Sequence, residues 1–192
     1  MHTGNHTFSL LVVSVSLFMS FFINAQEQAD VDGVNEFTGN TIFLVRHFEK
    51  QSSDTDTQNK PTNDPKLTER GQARAQALAA FLAEKNVTAV FSTNYNRTLQ
   101  TATPTAQQYG INITVYNPSE LAQFALQLKA LAGTGNGNIL VVGHSNTMPQ
   151  LLKLLGGPDK VLSEDDYGDL FSVSGLGNEQ SALNSFHHVV IE

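Results

Sequence analysis

The chain has 192 residues, of which 40% are hydrophobic and 15% charged, and its formal net charge is -7. That length suits one domain able to bury roughly 70% of its unfolded surface, and the charge argues against general binding to nucleic acid or anionic membranes. It contains no cysteine, which excludes disulfides, thiolate metal sites, a thiol nucleophile and a lipidated N-terminal cysteine.

Met1 to Thr7 is short and polar, and Phe8 to Ile23 is apolar apart from serines. At about 16 residues this run is short for a membrane span and fits the apolar region of a signal peptide cleaved after Ala25. The expectation is therefore export to a periplasm or the medium, with an uncleaved N-terminal anchor as the alternative. Residues 26–40 read as a flexible leader, and residues 41–192 as the folded domain.

Ile42-Phe43-Leu44-Val45 is a continuous apolar run, as expected of a strand buried on both faces. It stops at Arg46-His47, followed by Glu49-Lys50. Gln51 to Pro65 is rich in Ser, Asp, Thr, Asn and Pro and reads as a loop. Its acids Asp54, Asp56 and Asp64 lack the glycine and terminal glutamate of an EF-hand. A helix starts after the capping residue Thr68, with apolar residues from Ala73 to Leu82 at helical spacing. Val87 to Phe91 is a second strand, and a helix containing Arg97 follows, ending at Gly110. Ile111 to Tyr116 is a third strand, and Pro118-Ser119-Glu120 opens a helix with Ser119 as its cap. The glycines from Gly133 to Gly137 precede a strand, so they form a turn and not a phosphate-cradling loop. Ile139 to Val142 is the fourth strand; Gly143-His144-Ser145-Asn146 leads into a helix over Thr147 to Leu155. Leu170 to Val173 and His188 to Ile191 read as late strands at the sheet edge. The Asn-x-Thr sequons at Asn86, Asn96 and Asn112 read as incidental. Strand–helix alternation of this kind implies a three-layer α/β/α architecture with a mainly parallel central sheet.

Parallel strands bring Arg46, His47, Arg97 and His144 to one edge of that sheet, where ligands bind. Four such groups at one edge, in a chain with 11 Lys plus Arg and 6 His, define a seat for a compact dianion such as phosphate. Arginine supplies bidentate donors, and helix N-termini add backbone N–H groups. Ser92 and Asn146 are either further ligands or helix caps. A histidine beside an arginine stays neutral near pH 7 and can act as a nucleophile; a second, protonated histidine could donate to phosphoryl oxygens. A carboxylic acid is needed for the leaving alkoxide. Glu120 is the first candidate and Glu49 the second.

The segments Leu44-Val45-Arg46-His47-Phe48-Glu49-Lys50, Leu67-Thr68-Glu69-Arg70-Gly71, Phe91-Ser92-Thr93 through Arg97-Thr98 and Thr101, and Val142-Gly143-His144-Ser145-Asn146 resemble, in order and spacing, the histidine phosphatase superfamily, the phosphoglycerate-mutase-like proteins. The resemblance spans about Thr41 to Leu155. It implies a phosphoglycerate-mutase-like fold and transient phosphorylation of His47. It implies a phosphoryl group held by Arg46, Arg97 and His144, and no metal or other cofactor. The chain has no long insertion after the second helix, where many members carry their proton donor. It therefore resembles the compact phosphatases, phosphohistidine phosphatases included, more than the mutases. The expected substrate is a phosphorylated small molecule or a phosphoprotein. Activity is expected to fall in acid as His47 gains a proton and in base as the acid loses one. The alternative is a module of the same fold that binds phosphate without catalysis, and a mutase is disfavoured by the short chain.

Overall fold

The computed structural model describes residues 1, 41–52, 64–176 and 185–192, and every element below lies in the unit Glu36–Glu192. The expected signal peptide, the leader and most of the loop after the first strand, with Asp54 and Asp56, lie outside the described residues.

Six strands form one sheet: β1 (Ile42–Arg46), β2 (Val87–Ser92), β3 (Ile113–Val115), β4 (Asn138–Gly143), β5 (Asp169–Ser174) and β6 (Ser185–Val190), in the order β3-β2-β4-β1-β5-β6. The pairings β2–β3, β2–β4 and β1–β4 are parallel, whereas β1–β5 and β5–β6 are antiparallel. Four helices connect or flank them: α1 (Glu69–Phe81), α2 (Asn96–Tyr109), α3 (Leu121–Gly133) and α4 (Thr147–Leu154). This is the three-layer, mainly parallel α/β/α sandwich expected. The late strands divide, however: β6 is at the edge, but β5 pairs directly with β1 and lies inside the sheet.

The apolar run of β1 explains the layering. All five of its residues are buried. Side chains alternate across a strand, so Ile42 and Leu44 join the core with Phe124, Leu128 and Leu151 of α3 and α4. Phe43 and Val45 join the opposite core with Leu78 of α1 and Ala102 and Ala106 of α2. Each such buried apolar side chain contributes about 1.5–3 kcal/mol, which makes the carboxyl end of β1 a firm mount.

Local chemistry sets the helix ends. Thr68 accepts from the Gly71 N–H at the start of α1. Gly110 closes α2 at φ 63°, a left-handed conformation that glycine enters without steric cost. The cap of α3 differs from expectation. Glu120, not Ser119, holds the N-cap position and makes no side-chain cap bond, because Asn117 Oδ1 accepts the Ser119 N–H in a turn just before it.

Candidate active site

The parallel strands β1, β2 and β4 end at one edge, with Arg46 in register with Gly143 and Ser92 with Val142. A cavity of about 560 Å³ opens there, lined by His47, Lys50, Tyr95, Arg97, Pro118, Ser119, His144, Ser145, Asn146, Thr147 and Glu164. His47 is only 3% exposed, and its ring meets that of His144 edge to face at 5.5 Å between centroids.

His47 is held through its backbone and its ring. Its N–H donates to the Gly143 carbonyl at 2.9 Å. Its Nδ1 lies 2.8 Å from the Phe48 carbonyl oxygen. A carbonyl only accepts, so Nδ1 carries the proton and Nε2 the free lone pair. The Phe48–Glu49 segment is in turn pinned from both neighbouring helices. Phe48 is fully buried and its N–H donates to Thr101 Oγ1. The Glu49 carbonyl accepts from the Thr68 N–H and hydroxyl. The segment Leu67 to Gly71 is thus a buttress for the strand end that carries the histidine.

His144 sits where β4 turns into α4. Thr147 Oγ1 accepts its backbone N–H. Its ring lies between Thr93 Oγ1, 2.9 Å from Nε2, and Arg97 Nη2, 3.4 Å from Nδ1. Arginine only donates, so Nδ1 is the acceptor and Nε2 carries the proton toward Thr93. Thr93 is fully buried and also meets Thr98 Oγ1 at 2.9 Å. Arg97 lies over the Tyr95 ring at 4.4 Å and pairs with Asp64 at 3.7 Å.

Burial, then the Arg46 and Arg97 charges and His144, pushes His47 down to about 3, against an opposing hydrogen bond to Phe48. Burial, then Arg97 and Arg46, pushes His144 down to about 4. Both rings are therefore neutral near pH 7. For His47 this is the nucleophile's state; for His144 it corrects the expected imidazolium, which the two arginines beside it disfavour.

Other expected residues separate. Arg46 is 1% exposed and does not line the cavity. Its Nη1 donates to the Ser163 and Asp166 carbonyls, its Nη2 meets Glu164 Oε2 at 3.1 Å, and its guanidinium lies over the Tyr167 ring. Ser92 is fully buried and its hydroxyl donates to the Thr93 carbonyl, so it lies behind the site. Asn146 lines the cavity and makes no side-chain cap bond.

Neither expected carboxylate borders the cavity. Glu49 pairs with Arg70 and Arg74, one turn apart on α1, at 3.2 and 3.3 Å. Glu120 lines a different cavity, of about 230 Å³, with Gln123, Phe124 and Gln127 of α3, because the helix begins one residue after it.

Among the described residues the acid that lines the cavity is Glu164, to which the sequence did not point. It sits in the acidic stretch Ser163-Glu164-Asp165-Asp166 that leads into β5. An antiparallel strand begins at the edge where its parallel neighbours end, so this loop lands beside Arg46. Ser145 and Thr93 were also missed as site residues, although each is the residue after, or soon after, a parallel strand's end.

The strand ends thus bring a pair of neutral histidines and two arginines together at one edge of an α/β/α sandwich. The family model described as histidine phosphatase superfamily (branch 1) matches residues 42–121. This match, over fewer than half of the residues, agrees with the fold and with the resemblance of the ordered motif segments to that superfamily. Among solved structures, the chain resembles the protein histidine phosphatase SixA complexed with tungstate at 18% identity and TM-score 0.61, covering 78% of this chain and 96% of that one. The mycobacterial glucosyl-3-phosphoglycerate phosphatase matches at 14% identity and TM-score 0.55, covering 78% and 97%. The alpha-ribazole phosphatase from Shigella flexneri matches at 16% identity and TM-score 0.55, covering 79% and 96%. No curated protein sequence matches the chain significantly.

Proposed function

We propose that this protein is a phosphatase that works through a covalent phosphohistidine on His47. The observation that carries this reading is the state of that ring: neutral, with its Nδ1 proton donated to Phe48 and its Nε2 lone pair free beside Arg97 and His144. The Nε2 lone pair attacks phosphorus; the N–P bond forms as the bond from phosphorus to the leaving group breaks. Water then attacks the same phosphorus, the N–P bond breaks, and neutral His47 and inorganic phosphate are released. Arg97 neutralises charge on the transferred group. Hydrogen bonds from Ser145 and the N–H groups at the start of α4 suit its remaining oxygens.

The leaving group narrows the substrate. Among the described residues Glu164 is the carboxylate that lines the cavity, and the Ser145 hydroxyl and Arg46 hold it below the usual carboxylate range. It is therefore an anion in the free site and a poor proton donor. Groups that leave without a strong acid, such as phenolates and imidazoles, fit this site better than simple alkoxides. That favours aryl phosphates and phosphohistidine, the latter on a phosphoprotein that the exposed rim of Tyr95 and Asn146 can meet. The likeness to a protein histidine phosphatase supports the phosphohistidine reading, and the likeness to two other phosphatases supports phosphatase activity in general.

The test is hydrolysis of an aryl phosphate in excess chelator by the mature chain and by His47→Ala. Turnover that survives chelation and falls at least about a thousandfold in the variant, as nucleophile removal does, is the expected result. Undiminished turnover in the variant would overturn it. Absence of turnover in both, with phosphate still raising Tm, would point to the non-catalytic binding module.

A further inference from the structure

The cavity contains an anion of its own. Glu164 Oε1 accepts from Ser145 Oγ at 2.7 Å, and Oε2 meets Arg46 Nη2 at 3.1 Å. Ser145 and Glu164 both line the cavity, whereas Arg46 does not. The cation that the sequence assigns to the phosphoryl group is thus reached from the cavity through a carboxylate already seated on it. Nη1 of Arg46 is engaged by the Ser163 and Asp166 carbonyls, and its buried Nε has no partner among the described residues. The guanidinium is therefore fixed by main-chain carbonyls and the Tyr167 ring, while its carboxylate partner is 74% exposed and free to swing into solvent.

We propose that Glu164 is an internal competitor for the phosphoryl seat: its carboxylate holds donors of Arg46 and Ser145 that an incoming phosphoryl group takes over by displacing it. The inference rests on the phosphatase reading for its ligand, but its chemistry needs only an anion at the seat. A carboxylate offers two oxygens and one charge; a phosphoryl dianion offers three oxygens and two charges, and it gains Arg97 in addition. Exchange is therefore favourable for a dianion. A monoanion such as a substrate carboxylate gains little over the resident group, so the device discriminates for phosphoryl groups. Apparent affinity for phosphate is lowered by the fraction of time the seat is filled.

The first measurement is calorimetric titration of the full chain with inorganic phosphate, for wild type and Glu164→Gln. It reads binding and not turnover, so it stands even where hydrolysis is absent. Glu164 is largely exposed, so the isosteric variant keeps the fold. An exposed ion pair contributes modestly, and the expected tightening on Glu164→Gln is about three- to tenfold. Glu164→Asp, which keeps the charge but is one methylene too short to span both donors, should fall between the two. The KM for an aryl phosphate should decrease by the same factor as the phosphate dissociation constant. Unchanged or weaker phosphate binding in Glu164→Gln would overturn the proposal and make the carboxylate a support for Arg46. A selective loss of kcat on alkyl over aryl phosphates, with phosphate binding unchanged, would overturn it in favour of a proton donor.

Discussion

The state of His47 follows from a relay of ordinary contacts. Thr101 Oγ1 accepts the Phe48 N–H, the Phe48 peptide is fixed, and its carbonyl then selects the ring nitrogen that carries the proton. Burial and two nearby guanidinium groups oppose a second proton on that ring and on His144. In the free protein, histidine NMR should therefore show the His47 and His144 resonances at neutral-imidazole positions from pH 7.5 down to 5, with His47 as the Nδ1–H tautomer. A midpoint near 6.5 for either site histidine would contradict the geometry. With His47 pushed down to about 3, the acid limb of kcat/KM is expected to follow the second ionisation of a phosphate ester, near pH 6, in place of the protonation of His47.

At the scale of elements, α1 acts as a clamp on the strand end. A Cβ on Gly71 would collide with the Glu49 carbonyl oxygen, which is backbone and cannot rotate away. Gly71→Ala should thus cost about 1–3 kcal/mol by forcing the helix off the strand, and it should lower kcat as well as Tm, because Glu49 adjoins the peptide that orients His47. A drop in stability with kcat intact would mean that the clamp serves the fold alone. The cap of this helix at Thr68 was legible in the sequence, as was the placing of Arg46, His47, Arg97 and His144 at strand ends on one edge. Buried parallel strands read as unbroken apolar runs, and their carboxyl ends must share an edge. Strand direction and order are not written in such patterns. Nothing in Leu170 to Val173 says that this segment runs antiparallel to β1 and next to it, so the polar loop before it gave no sign that Glu164 would meet Arg46 and Ser145. Glu120 misled for a related reason: it does follow a strand at the correct edge, but the helix starts at Leu121 and takes its side chain to the neighbouring cavity.

For the molecule as a whole, a site of fixed cations and uncharged imidazoles links stability to pH. The folded values of about 3 for His47 and about 4 for His144 lie below the unfolded value of 6.5. The unfolded chain therefore binds more protons over that interval. This contribution to stability is fully present above about 6.5 and is lost as pH falls toward 4 and then 3. One linked proton is equivalent to at most about 1.4 kcal/mol per pH unit, and 1 kcal/mol moves Tm by about 2–4 °C at this chain length. Both rings border an open cavity, so water screens part of the effect, and the expected fall in Tm between pH 7 and 5 is a few degrees. His47→Asn removes one of the two groups without adding charge, and its Tm should depend less on pH over that range than the wild-type value. An identical dependence in the two proteins would show that the titration of His47 is not coupled to folding. Inorganic phosphate acts in the opposite sense. On the proposed reading it binds the folded seat and not the unfolded chain, and at a hundred times its dissociation constant it should add about 2.7 kcal/mol of stability.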